Sequence, residues 1–407
     1  MTNLSRREFG KILAVASIRN TTLEQTGYDS WSDVQNRFSL KENLIVMNAA
    51  NLCPAPTSVN EVLFRYTRDM DSNPSSQNRS KFGQGREDTR SKIATFLNVT
   101  PEEIVITRNT SEGNNFVSSG LELAPGEEVV IFDENHPTNN QSWRDKAERF
   151  GFAVRTVSIP TPPPSVDAII EKMVAAMGPR TRVLAFTHVT NSFGTRFPAK
   201  ELCEIARKRG ILTLVDGAQT FGVLDLDLQD MGCDFFTGSS HKWLMGPKEA
   251  GVLYMRNDAQ ECMAPSEVGV IGGRVGASKV YERLGQRDDP AIMALGEAID
   301  FHNRIGKDRI ESRSVGLASA LKEELGRISS VHMYSPTVEE ISSAVVTFRL
   351  GDADIRRLNM RLYEDYGIAC TTRGGSAAGF RFSPHIYNDE HQIERVVAAF
   401  HDAMKSV

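Results

Sequence analysis

Residues 211–219 read Ile211-Leu212-Thr213-Leu214-Val215-Asp216-Gly217-Ala218-Gln219, an apolar and partly β-branched run that ends abruptly in an acid. Such a run is typical of a strand that is buried on both faces, as in a parallel sheet. Ligands bind at the carboxyl ends of parallel strands, so we expect Asp216 at a ligand-binding edge. Taken alone, an acid in this position is explained as well by a turn or a helix cap.

A second strand is predicted at residues 234–237, and it runs into Gly238-Ser239-Ser240-His241-Lys242-Trp243. A lysine directly after a buried strand is costly to leave charged, and burial tunes it toward the neutral amine that forms Schiff bases. A solvated loop lysine is the alternative, which these neighbours disfavour. Together the residues suit pyridoxal phosphate, with Asp216 holding the pyridine nitrogen protonated and Lys242 binding the aldehyde. Ser239 and His241 would then donate to the phosphate.

Strand-like runs alternate with amphipathic helical stretches through the middle of the chain, which is the pattern of βαβ units. The predicted helices span residues 140–150, 166–177 and 199–209. The predicted strands span residues 129–132, 153–159, 183–186, 211–215, 235–237 and 252–255. We therefore predict an α/β fold with a large, mostly parallel sheet.

The 407 residues suggest two or three domains by length alone. We predict one large α/β cofactor domain at residues 61–270 and a smaller α+β domain at residues 271–407. Residues 1–60 are too few and too broken for a core, so we expect them to pack on the small domain. Within residues 271–407 the predicted elements are helices at 291–305, 354–366 and 390–404 and strands at 344–348 and 380–382.

Composition narrows the possible partners. Lys and Arg number 47 against 52 Asp and Glu, a formal charge of −5, so the chain lacks the basic field that nucleic acid attracts. No apolar run approaches the roughly 20 residues that cross a bilayer. The five cysteines form no CxxC pair, which argues against a zinc site or a disulfide framework. We expect no nucleic acid, membrane or metal partner.

The amino terminus resembles a targeting signal. Ser5-Arg6-Arg7-Glu8-Phe9-Gly10-Lys11 resembles the twin-arginine export signal, which directs folded proteins across a membrane. The apolar stretch that follows, residues 12–18, is short and has no obvious cleavage site. We interpret the protein as cytoplasmic; the alternative is export of the folded protein through a signal at residues 5–18.

The chain resembles the class V aminotransferase family of fold-type I pyridoxal-phosphate enzymes, which includes cysteine desulfurases, selenocysteine lyases and isopenicillin N epimerase. The resemblance runs from about residue 44 to the last predicted helix. It is carried by the order and spacing of Thr187-His188-Val189-Thr190-Asn191, Asp216-Gly217-Ala218-Gln219 and His241-Lys242. It implies the fold-type I architecture, with a seven-stranded type of sheet, pyridoxal 5'-phosphate as cofactor and an amino-acid substrate.

The resemblance also implies roles for single residues. Lys242 is similar in position to the Schiff-base lysine, and Asp216 to the partner of the pyridinium nitrogen. His136 matches the histidine that stacks over the cofactor ring, and it is counted with Lys242 and Asp216 as catalytic. Gln219 and Asn191 would face the phenolic oxygen of the cofactor.

Two further segments resemble binding elements of the family. Thr110-Ser111-Glu112-Gly113-Asn114 resembles the phosphate loop, and a helix predicted at residues 114–121 would present free amides to an anion there. Taken alone, that stretch is only a capping box. Arg381 matches the arginine that binds the substrate carboxylate, which a guanidinium does in bidentate fashion; a surface ion pair is the alternative. Gln286, in residues 285–290, would reach the phosphate of the neighbouring subunit, which implies a homodimer with a shared active site.

The pattern departs from the desulfurases before Arg381. Residues 370–378 are short and glycine-rich, so we expect Cys370 to be a small buried residue and no persulfide carrier. This favours an epimerase or a C–S or β-elimination lyase over a cysteine desulfurase, and an aminotransferase stays open. In each case Lys242 would remove the Cα proton.

Other classes of protein fit less well. Residues 239–242 satisfy the S-x-x-K motif of penicillin-binding serine hydrolases, but they follow a strand and the chain has no K-T-G. Gly83-Gln84-Gly85 lacks the third glycine of a dinucleotide fingerprint. His385 and His391 are six residues apart and are interpreted as surface residues, not as metal ligands. A catalytically silent relative is disfavoured because Lys242, Asp216, Gln219 and His241 are all present.

Overall fold

The computed structural model describes residues 27–28, 30–351, 353–374 and 378–404. The export-signal resemblance at residues 5–18 and residues 375–377 of the glycine-rich segment lie outside them. The strands are β1 Ile45–Val46, β2 Ile104–Thr107, β3 Glu128–Phe132, β4 Ala153–Val157, β5 Thr181–Thr187, β6 Leu212–Asp216, β7 Phe235–Ser239, β8 Gly251–Met255, β9 Val331–Met333, β10 Val346–Leu350, β11 Ile368–Ala369, β12 Thr371–Arg373 and β13 Gly379–Phe382. The helices are α1 Trp31–Gln35, α2 Thr57–Ser72, α3 Ser76–Leu97, α4 Thr110–Gly120, α5 Pro137–Phe150, α6 Val166–Ala176, α7 Ala199–Lys208, α8 Leu228–Met231, α9 Asn257–Gln260, α10 Ser278–Tyr281, α11 Asp289–Ile305, α12 Lys307–Gly326, α13 Ile355–Glu364 and α14 Glu390–Met404.

The large sheet has seven strands in the order β2-β8-β7-β6-β5-β3-β4. The pairs from β7 through β4 are parallel, whereas β8 is antiparallel to both β7 and β2. The predicted α/β class and the mostly parallel sheet are confirmed. All six predicted strands of the region form, but the βαβ alternation ends at β7, because residues 240–250 form turns and no helix. The sequence interpretation missed β2, a run of only four residues.

A second sheet of four antiparallel strands has the order β12-β13-β10-β9. On β13, Phe380 and Phe382 stack against Phe348 of β10 and form the core under this sheet. Successive side chains of a strand point to opposite faces, so Arg381 points away from that aromatic core. The alternation of the strand therefore presents one guanidinium on the far face of the sheet.

Residues from both ends of the chain meet. The two-residue strand β1 pairs in parallel with β11, and α11 packs against α2 and α3. The division into residues 1–60, 61–270 and 271–407 stays a prediction. None of the helices in the described part of the chain is long and apolar enough to cross a membrane.

A buried ion pair holds the segment that leads to Gln286. The side chains of Arg90 and Glu282 are fully buried and form two hydrogen bonds, of 2.5 and 2.9 Å. The Arg90 guanidinium also donates to the Ile104 carbonyl, and Glu282 accepts from the Ile106 amide at 2.6 Å. The pair thus fastens the end of α10 to β2.

Replacing Arg90 with Met is expected to lower the free energy of unfolding by about 3–5 kcal/mol, because Glu282 is left as an unpaired buried charge. Chemical denaturation followed by circular dichroism measures the loss. The double variant Arg90→Met/Glu282→Leu serves as the control and should recover much of the stability, since no charge remains buried. An Arg90→Met protein that unfolds at the wild-type denaturant concentration would contradict this role for the pair.

Candidate active site

Asp216 ends β6 at the carboxyl edge of the parallel strands. It is buried, with 2% of the residue exposed. Its Oδ2 accepts hydrogen bonds from the side-chain amides of Asn114 at 2.9 Å and Asn139 at 3.4 Å, and its Oδ1 accepts from the Ala218 amide at 3.0 Å. These three donors fix the orientation of the carboxylate. A carboxylate has about four acceptor positions, so Asp216 can accept a further hydrogen bond from a ligand.

Lys242 follows β7 by three residues and is half-buried. Burial lowers the pKa of its amine to about 8; Asp216 opposes this shift, whereas Arg381 and Arg373 add to it. Charges shift a pKa only over short distances, so Asp216, Arg381 and Arg373 all lie near Lys242. A lysine with such a pKa is partly neutral near pH 8 and can act as a nucleophile or a base.

The backbone directly after Lys242 is held by two buried histidines. The Trp243 carbonyl lies 2.8 Å from Nε2 of His385 and 3.2 Å from Nε2 of His302. Nδ1 of His385 lies 2.8 Å from the Ser314 hydroxyl. Burial lowers the pKa of both histidines, to about 3 for His385 and about 4 for His302, so both are neutral.

The prediction that His385 is a surface residue is wrong, since it is fully buried, whereas His391 is exposed. The physical reason is that its ring finds a partner for each nitrogen inside the protein, which a surface assignment by residue type does not anticipate. Among the residues that the structure describes, no group of three or more His, Cys, Asp or Glu side chains is arranged to hold a metal ion.

The amino terminus of α4 meets the end of β7. The helix begins at Thr110, four residues before the predicted start, because Asn109 caps it by accepting from the Glu112 amide at 3.0 Å. The Ser239 hydroxyl accepts from the Thr110 amide at 2.8 Å and lies 2.7 Å from the Thr110 hydroxyl. Ser111 lies in the same first turn, where backbone amides and the helix dipole favour an anion.

Glu112 is placed less favourably for an anion. Its carboxylate accepts from the Arg108 amide at 2.5 Å and from Nε of Arg108 at 2.8 Å. A carboxylate repels a phosphate, and the Glu112 amide is already bonded to Asn109. The predicted cofactor contact of Glu112 therefore stays a prediction that these hydrogen bonds do not favour.

His136 and His241 flank this region. His136 caps α5, with Nδ1 2.7 Å from the Thr138 hydroxyl, which in turn lies 3.3 Å from the Ser111 hydroxyl. Burial and Lys242 lower the pKa of His136, and Asp216 raises it, which places its ring near both. Burial lowers the pKa of His241 to about 4. Its buried Nδ1 has no hydrogen-bond partner among the described residues.

The side chains at this edge of the sheet suit pyridoxal phosphate. The His241 Nδ1 is a buried polar atom without a hydrogen-bond partner among the described residues, and His241 follows Ser239 by two residues in the chain. The Ser239 and Thr110 hydroxyls meet at the amino terminus of α4, a combination that suits a phosphate. The buried acid Asp216 and the amine of Lys242 suit a protonated ring nitrogen and an aldehyde. The residues present therefore match the two ends of this cofactor.

Arg381 and Arg373 share one acceptor. The Asn191 carbonyl accepts from Nη1 of Arg381 at 2.8 Å and from Nη2 of Arg373. Arg381 is buried, with 3% of the residue exposed, and Arg373 is half-buried. Asn191 thus contributes its backbone carbonyl to the site, and the predicted contact of its side chain with the cofactor stays a prediction.

The two predicted glutamines lie apart from each other. Gln219 is buried, donates to the Ala50 carbonyl at 2.9 Å and accepts from Nε1 of Trp243 at 2.8 Å, which leaves one amide proton for a ligand. Gln286 is exposed, and its amide bonds to Arg79 at 2.7 Å and to the Arg287 carbonyl at 3.1 Å. Its hydrogen bonds do not link it to Lys242 or Asp216 of the same chain.

The sequence interpretation missed Asn114 and Asn139 as partners of Asp216. A signal for both was available, because residues three or four apart share a helix face. Asn114 lies four residues after Thr110 in α4, and Asn139 lies three residues after His136 at the start of α5. The two histidines behind Lys242 have no such local signal.

Comparison with known proteins places the chain among related sequences. Isopenicillin N epimerase from Amycolatopsis lactamdurans is 31% identical over 395 residues, covering 92% of this chain and 99% of the relative. Cysteine desulfurase from Salmonella agona is 30% identical over 338 residues, covering 77% of this chain and 81% of the relative. A solved cysteine desulfurase from Escherichia coli has a TM-score of 0.81 at 23% identity, covering 93% of this chain and 99% of that one.

The family match extends over most of the described residues. The model of the family named aminotransferase class-V matches residues 47–396, from just after β1 into the last helix, α14. The matched range contains Lys242, Asp216, the α4 amino terminus and Arg381. The chain therefore belongs to the aminotransferase class-V family, whose members are pyridoxal-phosphate-dependent enzymes.

Proposed function

We propose that the protein uses pyridoxal phosphate to exchange the Cα proton of an amino-acid substrate, with epimerisation as its reaction. One observation carries the proposal: a half-buried amine with a pKa of about 8 lies among a buried acid and two arginines. The amine is the base, and the guanidinium of Arg381 binds the α-carboxylate that places Cα beside it. Two isopenicillin N epimerases at 31% and 30% identity support this choice of reaction.

Each residue has a stated part in the proposed reaction. The bound cofactor supplies an electron sink for the pair of electrons left when Cα loses its proton. Asp216 keeps the ring nitrogen protonated, and the amides of Asn114 and Asn139 hold its carboxylate in place. Ser239 and Thr110 hold the phosphate with His241, so the amine of Lys242 moves a proton at a fixed Cα.

His136 gives epimerisation a second proton carrier. Inversion at Cα needs one group to remove the proton and another to return it to the opposite face of the substrate. Burial and the charge of Lys242 lower the pKa of His136, so the imidazole is neutral at neutral pH and lies near Lys242. A neutral imidazole can remove the proton, and the amine of Lys242, which is largely protonated below its pKa of about 8, can return one to the opposite face; in the reverse direction the two exchange roles. Such a pair supports inversion more directly than elimination.

The cysteine nearest in sequence to Arg381 does not favour desulfuration. Burial raises the pKa of the Cys370 thiol to about 12, and its Sγ donates to Asn359 at 3.1 Å. A persulfide carrier must present a thiolate to the substrate, and a thiol of this pKa is protonated at neutral pH. The alternative lyase reaction, loss of a β-substituent, needs no cysteine and remains the second candidate because it begins with the same proton removal.

One experiment separates these reactions. The holoenzyme is incubated in D₂O with single enantiomers of amino acids and cysteine conjugates. Epimerisation predicts deuterium at Cα together with the inverted enantiomer on a chiral column. Pyruvate or sulfide without inversion would favour the lyase or the desulfurase, and aminated cofactor would favour the aminotransferase. Absence of a visible absorbance band after addition of pyridoxal phosphate would contradict the whole proposal.

The lowered pKa of Lys242 predicts a pH dependence for loading of the apoprotein. Only the neutral amine attacks an aldehyde, so the yield of modified Lys242 should rise with pH up to about 8 and then level off. Exposed Lys200 is an internal control, because its hydrogen bond to Asp230 raises its pKa and its modification should keep rising above pH 8. Brief exposure to pyridoxal phosphate, borohydride reduction and peptide mass mapping measure both. Parallel curves for the two lysines would contradict the prediction.

The proposal includes a homodimer. Val268, Val270 and Ile271 are 92%, 96% and 73% exposed, an apolar patch of the kind that marks protein interfaces. Gly269, within the patch, lies against the backbone of Arg283, close in the chain to Gln286. A second subunit that covers the patch would come close to the segment of Gln286. Analytical ultracentrifugation is expected to give the mass of two chains, and a mass of one chain would contradict the shared site.

A further inference from the structure

Two arginine side chains converge beside Lys242. In the antiparallel pair of β12 and β13, Arg381 is opposite Thr371, so Arg373 is its diagonal neighbour on the same face of the sheet. Both guanidiniums donate to the Asn191 carbonyl, although Asn191 is 190 and 182 residues away in the chain. The fold therefore brings two positive charges to one point.

These charges have no acid to balance them. Among the described residues, no Asp or Glu forms an ion pair with Arg373 or Arg381, and the Nε of each is buried without a hydrogen-bond partner. Burial lowers the pKa of Arg381 to about 9, and Arg373 lowers it further. Burying two unpaired cations is costly unless a ligand supplies negative charge.

The α-carboxylate of an amino acid accounts for only one of the two guanidiniums. One guanidinium binds one carboxylate through two parallel hydrogen bonds, so the α-carboxylate would occupy Arg381. Arg373 then keeps its charge and its free Nε within the same pocket, because it also lowers the pKa of Lys242 and of His136. A second anionic group on the substrate would match this surplus.

We propose that Arg373 binds a second carboxylate, so that the site takes amino acids whose side chain is itself anionic. The inference rests on the proposed function and names its substrate class. In the competing arrangement, the guanidiniums of Arg373 and Arg381 both bind a single carboxylate. This arrangement predicts no preference between monoanionic and dianionic ligands. The two arrangements differ in what the loss of Arg373 does.

The test measures binding without turnover. Glutarate and adipate are compared with butyrate and valerate by isothermal titration calorimetry on the holoenzyme. The wild-type protein is expected to bind the dicarboxylates about tenfold or more tightly, as expected for one added hydrogen-bonded charge pair. Arg373→Gln, which keeps a donor for Asn191, should abolish the preference and leave affinity for the monocarboxylates nearly unchanged. Arg381→Gln should weaken all four ligands.

Two more variants complete the design. Arg349→Gln changes an exposed arginine on the neighbouring strand β10 and should leave all four affinities in place. Arg373→Lys keeps the positive charge without the planar guanidinium and should retain part of the preference for dicarboxylates. This variant serves as the test if Arg373→Gln fails to fold. Equal affinities in the wild type, or an equal loss for both ligand classes in Arg373→Gln, would overturn the inference.

The outcome is separable from that of the proposed function. Dicarboxylate preference needs no proton exchange, so its loss would leave an epimerase that acts on neutral amino acids. Conversely, a holoenzyme that prefers dicarboxylates and exchanges no Cα proton would count against the reaction alone.

Discussion

Replacing Lys242 with Ala is expected to slow Cα proton exchange by about 10²- to 10⁴-fold, the usual contribution of a positioned general base. The same change removes the covalent attachment of the cofactor, because the amine of Lys242 is the one whose pKa is set by Asp216, Arg381 and Arg373. Deuterium incorporation at Cα, followed by NMR, measures the rate. Mass mapping after borohydride reduction measures the attachment.

The matched control for this substitution is Lys248→Met. Lys248 lies on the same connection between β7 and β8, is exposed and donates to the Cys53 carbonyl at 2.8 Å. Its loss should leave the exchange rate within a few-fold of the wild-type rate, because its amine is engaged away from Asp216. A Lys242→Ala protein that exchanges Cα protons at the wild-type rate would show that another group is the base.

Replacing Asp216 with Asn is expected to lower kcat by about 10²- to 10³-fold, the cost of losing one preorganised charged contact in a dry site. The substitution keeps the shape of the side chain, removes its charge and turns one acceptor oxygen into a donor. It should also lower the pH at which the yield of modified Lys242 levels off, because the Asp216 carboxylate raises the pKa of that amine. Rate measurement and the peptide-mapping titration test the two effects.

The control for Asp216 is Asp234→Asn. Asp234 is also buried, but it lies just before β7, at the opposite edge of the sheet, and binds Thr213 and Arg256. Its loss should reduce the stability of the protein, and the yield of modified Lys242 should still level off near pH 8. If both variants shift the titration equally, the effect of Asp216 on Lys242 is structural and not electrostatic.

The agreement between sequence and structure follows from local patterns. The strand ending in Asp216 and the strand preceding Lys242 were predicted from apolar runs, which need no knowledge of distant residues. Because both strands are parallel and adjacent, the acid and the lysine reach the same edge of the sheet. The early start of α4 at Thr110 escaped prediction because its cap, Asn109, was not weighed.

The rest of the site depends on contacts between residues far apart in the chain. His385 reaches the Trp243 carbonyl across 142 residues, and no local pattern marks it as buried. Arg373 reaches Asn191 because β12 and β13 form one hairpin of the second sheet, a pairing that the sequence interpretation did not predict.

The sequence by itself determined the α/β class, the family and the pair Asp216 and Lys242. These rest on strand periodicity and on spacing along the chain, which are properties of neighbouring residues. Only the tertiary structure decided which amides hold Asp216, what lies behind Lys242 and that two guanidiniums share the Asn191 carbonyl. Such features arise where separate elements pack together, and their free energy of interaction exists only once the chain has closed those distances.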